Sequence, residues 1–170
     1  MRCLMQRLSN WIVHDSHLSL ECYMHLSELA FIHLVQNLDR SRFTLQEYCV
    51  FHLVVQWCLS QVLLLPGEPS ITNQTLMNDI DIALPWTLAD VRKRVAMTTD
   101  EIRRVSTSST CKGMSLLKYP VSSCLAEVCL DLSKIPSQVL NRIIEPLKIV
   151  PKSMLSAAYK KQALSIPVRW

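Results

Sequence analysis

The sequence predicts an all-α protein built from antiparallel helical hairpins and interrupted by a long, partly ordered insertion. Glycine is rare, with 2 residues in 170, while 49% of the residues are hydrophobic. Apolar residues recur at intervals of three and four, which is the period of a helix. Because a β-sandwich needs many turn residues, the scarcity of glycine favours helices over such a sandwich.

Residues 1–65 are predicted to form the first helices, including a hairpin over 20–65. Apolar residues at helical spacing predict a short amphipathic helix over 2–13 and a longer helix over about 20–38. The apolar surface of the longer helix is broader than a single stripe. We therefore expect this helix to be central to the core.

The second helix of the hairpin follows a short polar connection. Thr44 is its expected N-cap, and Glu47 comes three residues later, where its carboxylate can return to the Thr44 N–H. Apolar residues continue to about Leu65, and Pro66-Gly67 then stops the helix. Trp57 lies three turns into this helix, and we expect its indole to be buried against the first helix of an αα-hairpin.

Residues 66–120 are interpreted as an insertion that is partly ordered at most. Prolines, Gly113 and the Ser/Thr run over 106–110 interrupt any long helical period. Within the insertion, residues 87–105 support either one helix or two short helices separated at Thr98-Thr99. The insertion is thus predicted to divide two helical regions.

The helical pattern returns over 121–164, which is predicted to form the C-terminal helices. It begins with a short helix, and Pro136 is well placed as the first residue of the next one. Residues 146–151 are expected to be extended, and a closing helix runs from Lys152 to Leu164. The tail, 165–170, is expected to be loose.

The composition points to reduced thiols and to a protein without membrane contact. Seven cysteines is an odd number, and the N-terminal stretch has no apolar core long enough for a signal peptide. We therefore expect a cytoplasmic or nuclear location. The longest apolar runs, such as 62–65, are too short to span a bilayer. The sequon Asn73-Gln74-Thr75 matters only if the chain is secreted.

Four potential metal ligands occur within twelve residues near the N-terminus. His14-x-x-His17 and Cys22-x-x-His25 are close to the pair spacings of zinc sites. However, Cys22 and His25 fall in a predicted helix whose face is assigned to packing, and no second pair completes the constellation. We favour a structural or surface role for these residues over zinc, and we expect no metal and no cofactor.

A catalytic thiol needs a lowered pKa and a nearby base. Cys49 and His52 offer such a pair, since three-residue spacing puts them on one helix face, but that face is apolar and core packing is favoured. Phosphate-cradling loops are excluded because the chain has only 2 glycines. Carboxylates are sparse and unpaired. We therefore expect that the protein is not an enzyme.

The strongest charge feature is Arg92-Lys93-Arg94 together with Arg103-Arg104, in a chain of net charge +4. A solvated helix face is the favoured interpretation. The alternative function is a basic helical module that binds nucleic acid through residues 87–105. The adjoining run Ser106–Thr110 is a hypothetical phosphate acceptor, and phosphate there would oppose the arginine charges.

Two stretches carry a family pattern. The first, ECYMHLSELAFIHLVQNLDRSRFTLQEYCVFHLVVQWCLSQ, contains Ser/Thr-x-x-Glu-x-x-Val-Phe-x-x-Val/Leu-x-x-Trp, met by Thr44, Glu47, Val50, Phe51, Val54 and Trp57. The second, LDLSKIPSQVLNRIIEPLKIVPKSMLSAAYKKQAL, matches at Glu145-Pro146, Ile149-Val150, Leu155, Ala158 and Ala163. In this order the two stretches resemble the BACK domain, which follows the BTB domain in kelch-like and related BTB proteins.

The resemblance implies a non-enzymatic scaffold derived from a BTB-type substrate adaptor of a cullin ubiquitin ligase. It implies protein partners, either a BTB protein or a component of the cullin ligase. In the family, the BTB domain supplies dimerisation and most of the cullin contact. The chain shows no BTB domain before the BACK-like part and no kelch module after it. We therefore expect either the loss of those contacts or a truncated gene product.

Overall fold

The structure is a computed structural model that describes residues 23–38, 45–63, 84–85, 87–107 and 111–165. The described residues form helices joined by turns and contain no strand, which confirms the all-α prediction. The helices are α1 (Glu28–Gln36), α2 (Gln46–Leu63), α3 (Leu88–Ala96), α4 (Thr99–Thr107), α5 (Cys111–Glu127), a 3₁₀ turn (Leu132–Lys134), α6 (Ser137–Val139), a π-helix (Leu140–Ile144), α7 (Glu145–Leu147) and α8 (Lys152–Ser165). Within these ranges, no helix is both long enough and apolar enough to cross a membrane.

Helix α2 is the centre of the core. Every residue from 50 to 60 is buried, so no side of the helix faces water over three turns. A helix that is covered on all sides needs neighbours in every direction. Helix α5 makes the most extensive of these contacts, and the 3₁₀ turn also packs against α2. The sequence analysis expects the helix that contains α1 to be central. In the structure α1 covers one side of α2, and α2 is the more central helix.

Trp57 connects α1 and α2, the first two described helices, and is buried as predicted. The indole is 5% exposed and stacks on the Phe31 ring at a centroid distance of 4.6 Å, with an angle of 7° between the planes. Its Nε1 also donates a hydrogen bond of 3.2 Å to the Leu26 carbonyl. The residue thus combines apolar burial with a satisfied polar group, as a buried tryptophan requires.

The predicted continuous helix over 20–38 is wrong, because the chain leaves helical geometry before Ser27. Ser27 is extended, with φ −63° and ψ 157°, and α1 begins only at Glu28. Such a break leaves carbonyls without intrahelical partners. Side chains of α2 supply donors for them: Gln61 Nε2 lies 2.8 Å from the Met24 oxygen, and Trp57 reaches Leu26. The predicted N-cap Thr44 lies outside the described residues.

Part of the predicted insertion belongs to the core. Leu84 is 1% exposed, and the Pro85 carbonyl accepts a 2.7 Å hydrogen bond from the Tyr48 hydroxyl. Residues 87–107 form two short helices rather than one, as the second of the predicted alternatives has it. Thr98 separates them and caps α4, since its Oγ1 accepts the Glu101 backbone N–H at 3.4 Å. Its own N–H donates to a Glu101 carboxylate oxygen at 2.7 Å, which completes a capping box.

The C-terminal helices differ from the prediction in their boundaries. Helix α5 begins at Cys111 and runs through Pro120, so the predicted division at 120/121 falls inside a helix. Pro136 precedes the first helical residue instead of occupying it. Residues 146–147 are helical and not extended, and the helix ends at Lys148, whose φ is 57°. The closing helix α8 matches the predicted range to within one residue.

Trp57→Ala should lower the free energy of unfolding by about 3–5 kcal/mol, because it removes a buried ring and leaves a cavity beside Phe31. Trp57→Phe should cost less, since a ring remains to stack. Leu29, which is 80% exposed on α1, provides the control through Leu29→Ala. Urea unfolding followed by circular dichroism measures all three, and equal stability of Trp57→Ala and Leu29→Ala would contradict the assigned role of Trp57.

Candidate functional site

Of the four sequence-predicted metal ligands, only His25 lies among the residues that the structure describes. His14, His17 and Cys22 lie outside the described residues, and His25 is exposed. Within the described part of the chain, no three His, Cys, Asp or Glu side chains are grouped so that they could hold a metal ion. The zinc site therefore remains a hypothesis from the sequence.

Cys49 and His52 lie on one side of α2, but neither has the properties of a catalytic group. Burial raises the pKa of the Cys49 thiol to about 11, so the thiol is protonated at neutral pH. Burial lowers the pKa of His52 to about 3. Its Nε2 lies 3.3 Å from the Leu84 carbonyl and donates to it in the neutral ring. The imidazole thus fastens residue 84 to α2.

The basic cluster is divided between the core and the surface. Arg94 is only 8% exposed, and burial lowers the pKa of its guanidinium. The remaining members are exposed, namely Arg92, Lys93, Arg103 and Arg104. The same two helices carry the carboxylates of Asp90, Asp100 and Glu101. Side chains of the run 106–110 lie outside the described residues.

A groove lies between the 137–145 stretch and α8. Its volume is about 460 Å³, which falls in the range of ligand pockets. We define the groove by its lining side chains, which are Ser137, Gln138, Asn141, Arg142, Glu145 and Tyr159. All six carry a polar group that can form a hydrogen bond, although apolar atoms make up the larger part of the lining surface.

The π-helix Leu140–Ile144 forms one wall of this groove. Leu140, Ile143 and Ile144 are buried in the core, while Asn141 is exposed on the other side. π-Helical turns are rare and occur often at functional sites. The sequence analysis missed this wall, although its signal was present: polar residues at 138, 141 and 145 have the three- and four-residue spacing of a single helix face.

Hydrogen bonds hold both walls in place. Arg142 Nη1 donates to the carbonyls of Val95, at 2.8 Å, and of Met97, which fixes the π-helix against the end of α3. The Tyr159 hydroxyl donates to Glu145 Oε2 at 3.1 Å and thereby connects the two walls. Partial burial and the Glu145 carboxylate raise the pKa of Tyr159 to about 12, so the phenol remains a donor.

Helix α8 is also attached to the preceding turn. Gln162 Nε2 donates to the carbonyls of Ser133, at 3.0 Å, and of Ile135, at 2.6 Å. The Lys161 ammonium lies 2.7 Å from Asp131 Oδ2, and this contact together with Ser133 lowers the pKa of the Asp131 carboxyl. The groove is therefore preformed, which reduces the ordering cost of a ligand that enters it.

Comparison with known proteins found no match. No protein-family model matches the chain, and neither does any curated protein or solved structure.

Burial of neutral His52 should make the protein less stable in mild acid. A histidine in the unfolded chain takes up a proton below pH about 6.5, whereas the folded chain resists protonation until about pH 3. Stability from this group is therefore present above pH about 6.5 and is lost as the pH falls towards 3. Between pH 7 and 5 we expect a loss of roughly 2 kcal/mol.

Urea unfolding at the two pH values measures this loss. In His52→Gln the difference between pH 7 and pH 5 should shrink, whatever its stability at pH 7. His33→Gln, which removes an exposed histidine of α1, is the control and should retain the full difference. An undiminished pH dependence in His52→Gln would mean that another group is responsible.

The protonated state of Cys49 predicts slow alkylation of that thiol. In the native protein, iodoacetamide should modify the exposed Cys129 before Cys49, because burial and a raised pKa both oppose thiolate formation. Peptide mass spectrometry after short labelling times gives the order. Faster labelling of Cys49 would restore it as a candidate nucleophile.

Proposed function

We propose that this chain is a non-enzymatic helical scaffold for protein–protein interaction, similar to the BACK domain of BTB-type substrate adaptors of cullin ubiquitin ligases. The observation that carries the proposal is a contact between the two BACK-like stretches. Glu47, a residue of the first pattern, accepts the Asp131 N–H at 3.2 Å, and Asp131 is the second residue of the second stretch. Two stretches separated by a long insertion thus share one core.

The burial of the pattern residues supports a structural role for them. In the first stretch, the apolar positions Val50, Phe51, Val54 and Trp57 are all buried. In the second, Ile149, Val150, Leu155 and Ala158 are buried, while Ala163 is exposed. A pattern made mainly of core positions specifies a shape and not a reaction. This is what a domain needs if it holds a partner at a fixed place.

The proposed mechanism is geometric. Helix α2 is enclosed on all sides, and α8 is tied to the turn before α6 by Gln162. A domain of this kind can keep a bound partner in a fixed position, because close-packed helices deform little. A bound partner would then be held at a set distance from a ligase component. A BTB protein or a cullin is the partner class that the resemblance suggests.

The alternative, a basic module that binds nucleic acid through residues 87–105, has less support. Nucleic-acid binding requires basic side chains gathered on one accessible face. Arg94 is buried, and Arg103 lies 3.8 Å from Asp100, which reduces the positive field of these helices. Fewer basic side chains of α3 and α4 are therefore exposed than the five that the sequence pattern contains.

Binding measurements with purified proteins separate the two functions. The full chain should form a complex with a purified BTB domain or with the N-terminal domain of a cullin, as measured by size-exclusion chromatography. An unrelated helical protein of similar net charge is the negative control. The alternative predicts instead salt-dependent retention on immobilised DNA that is lost in Arg92→Ala/Lys93→Ala. Retention of that kind, without either protein complex, would replace our proposal by the alternative.

A further inference from the structure

We propose that the groove between the 137–145 stretch and α8 binds an extended, acidic segment of a partner protein. This inference rests on the proposed role as an interaction scaffold, but it does not depend on the resemblance to BACK domains. It assigns the groove a ligand chemistry on the basis of its hydrogen-bonding groups and of the charges around it.

The hydrogen-bonding groups of the groove match a peptide main chain. Gln138 and Asn141 each carry an amide with two N–H donors and one carbonyl acceptor. Both side chains are exposed, as is the Ser137 hydroxyl, so all three are accessible to a ligand. An extended peptide presents N–H and C=O groups in alternation and leaves them unpaired when it lies outside a sheet. Side-chain amides can pair with both kinds of group.

The charges around the groove favour an acidic ligand. The 131–165 stretch carries six basic residues, Lys134, Arg142, Lys148, Lys152, Lys160 and Lys161, and all of the lysines are exposed. Its two carboxylates each have a partner: Asp131 contacts Lys161, and Glu145 accepts from Tyr159. Six basic and two acidic residues give the 131–165 stretch a net charge of +4, and such an excess of positive charge attracts an anionic segment.

One of these lysines has a defined position relative to the groove. Lys152 precedes Tyr159 by seven residues on α8, and seven residues make almost two full helical turns. Lys152 therefore lies on the same face of α8 as Tyr159, towards the N-terminal end of the groove wall. A peptide that follows the wall would place an acidic side chain near this ammonium group.

A peptide fits the groove better than a nucleic acid does. Proteins that bind single-stranded nucleic acids supply several aromatic rings on which successive bases stack. Tyr159 is the one aromatic residue among the lining side chains, and its hydroxyl is engaged by Glu145. The side-chain amides of Gln138 and Asn141 are suited to peptide groups.

The test uses the full chain and two labelled probes. One is a fluorescein-labelled decapeptide of alternating glutamate and serine, and the other replaces every glutamate by lysine. Fluorescence anisotropy at low salt should show saturable binding of the acidic peptide and none of the basic one. Binding should weaken as salt is raised. An unlabelled single-stranded DNA of equal charge should compete poorly.

Variants then locate the site. Gln138→Ala/Asn141→Ala removes two hydrogen-bonding side chains and should weaken acidic-peptide binding roughly tenfold. Lys152→Glu should weaken it as well, whereas Lys118→Glu, at an exposed lysine of α5, is the charge-matched control. Lys118→Glu should retain most of the affinity. Because all four positions are exposed, circular dichroism should show an unchanged fold in each variant.

The proposal is overturned by absence of acidic-peptide binding, by equal losses in Lys152→Glu and Lys118→Glu, by unchanged affinity in the amide variant, or by efficient competition from the DNA. Its failure is separable from failure of the scaffold function. A chain that binds a BTB domain or a cullin but not the acidic peptide keeps the scaffold function without this groove ligand. Peptide binding without a ligase complex supports the groove alone.

Discussion

The enclosure of helix α2 is the constraint on which the rest of the structure depends. A helix with no solvated face from 50 to 60 is stable only if neighbouring elements remove all of that apolar surface from water. Helix α1 covers α2 through the stack of Phe31 on Trp57. Residues 84–85 cover it through hydrogen bonds with Tyr48 and His52 of α2, and α5 packs against it. No single neighbour could enclose it, which explains why distant parts of the chain meet there.

Enclosure also dictates what the polar side chains of α2 must do. Each polar side chain that is buried needs a hydrogen-bond partner, since an unsatisfied one costs about 1–3 kcal/mol. Trp57 Nε1 donates to the Leu26 carbonyl, Ser60 Oγ donates to the Met24 carbonyl, and the Glu47 carboxylate accepts the Asp131 N–H. These partners lie in different elements. The polar groups of α2 therefore fix the neighbours in register as well as satisfying their own hydrogen bonds.

Features set by local chemistry could be predicted from the sequence, and features set by tertiary contacts could not. The burial of Trp57, the division at Thr98 and the extent of α8 all follow from periodicity or capping residues. The break before Ser27 has no proline or glycine to mark it, and donors from α2 satisfy the carbonyls that it leaves free. Helix α5 continues through Pro120, a residue that normally ends a helix. The groove was missed because its two walls are brought together only by folding.

The π-helix behaves like one extra residue inserted into an otherwise regular helix. An α-helix advances by about 100° per residue, so an insertion rotates everything that follows by about that angle relative to what precedes it. Glu145 and the turn at Lys148 thus owe their orientation to Leu140–Ile144. A one-residue deletion there would leave the composition almost unchanged and yet turn the Glu145 carboxylate away from the Tyr159 hydroxyl. In this segment, the number of residues therefore determines the orientation of the groove side chains as much as their identity does.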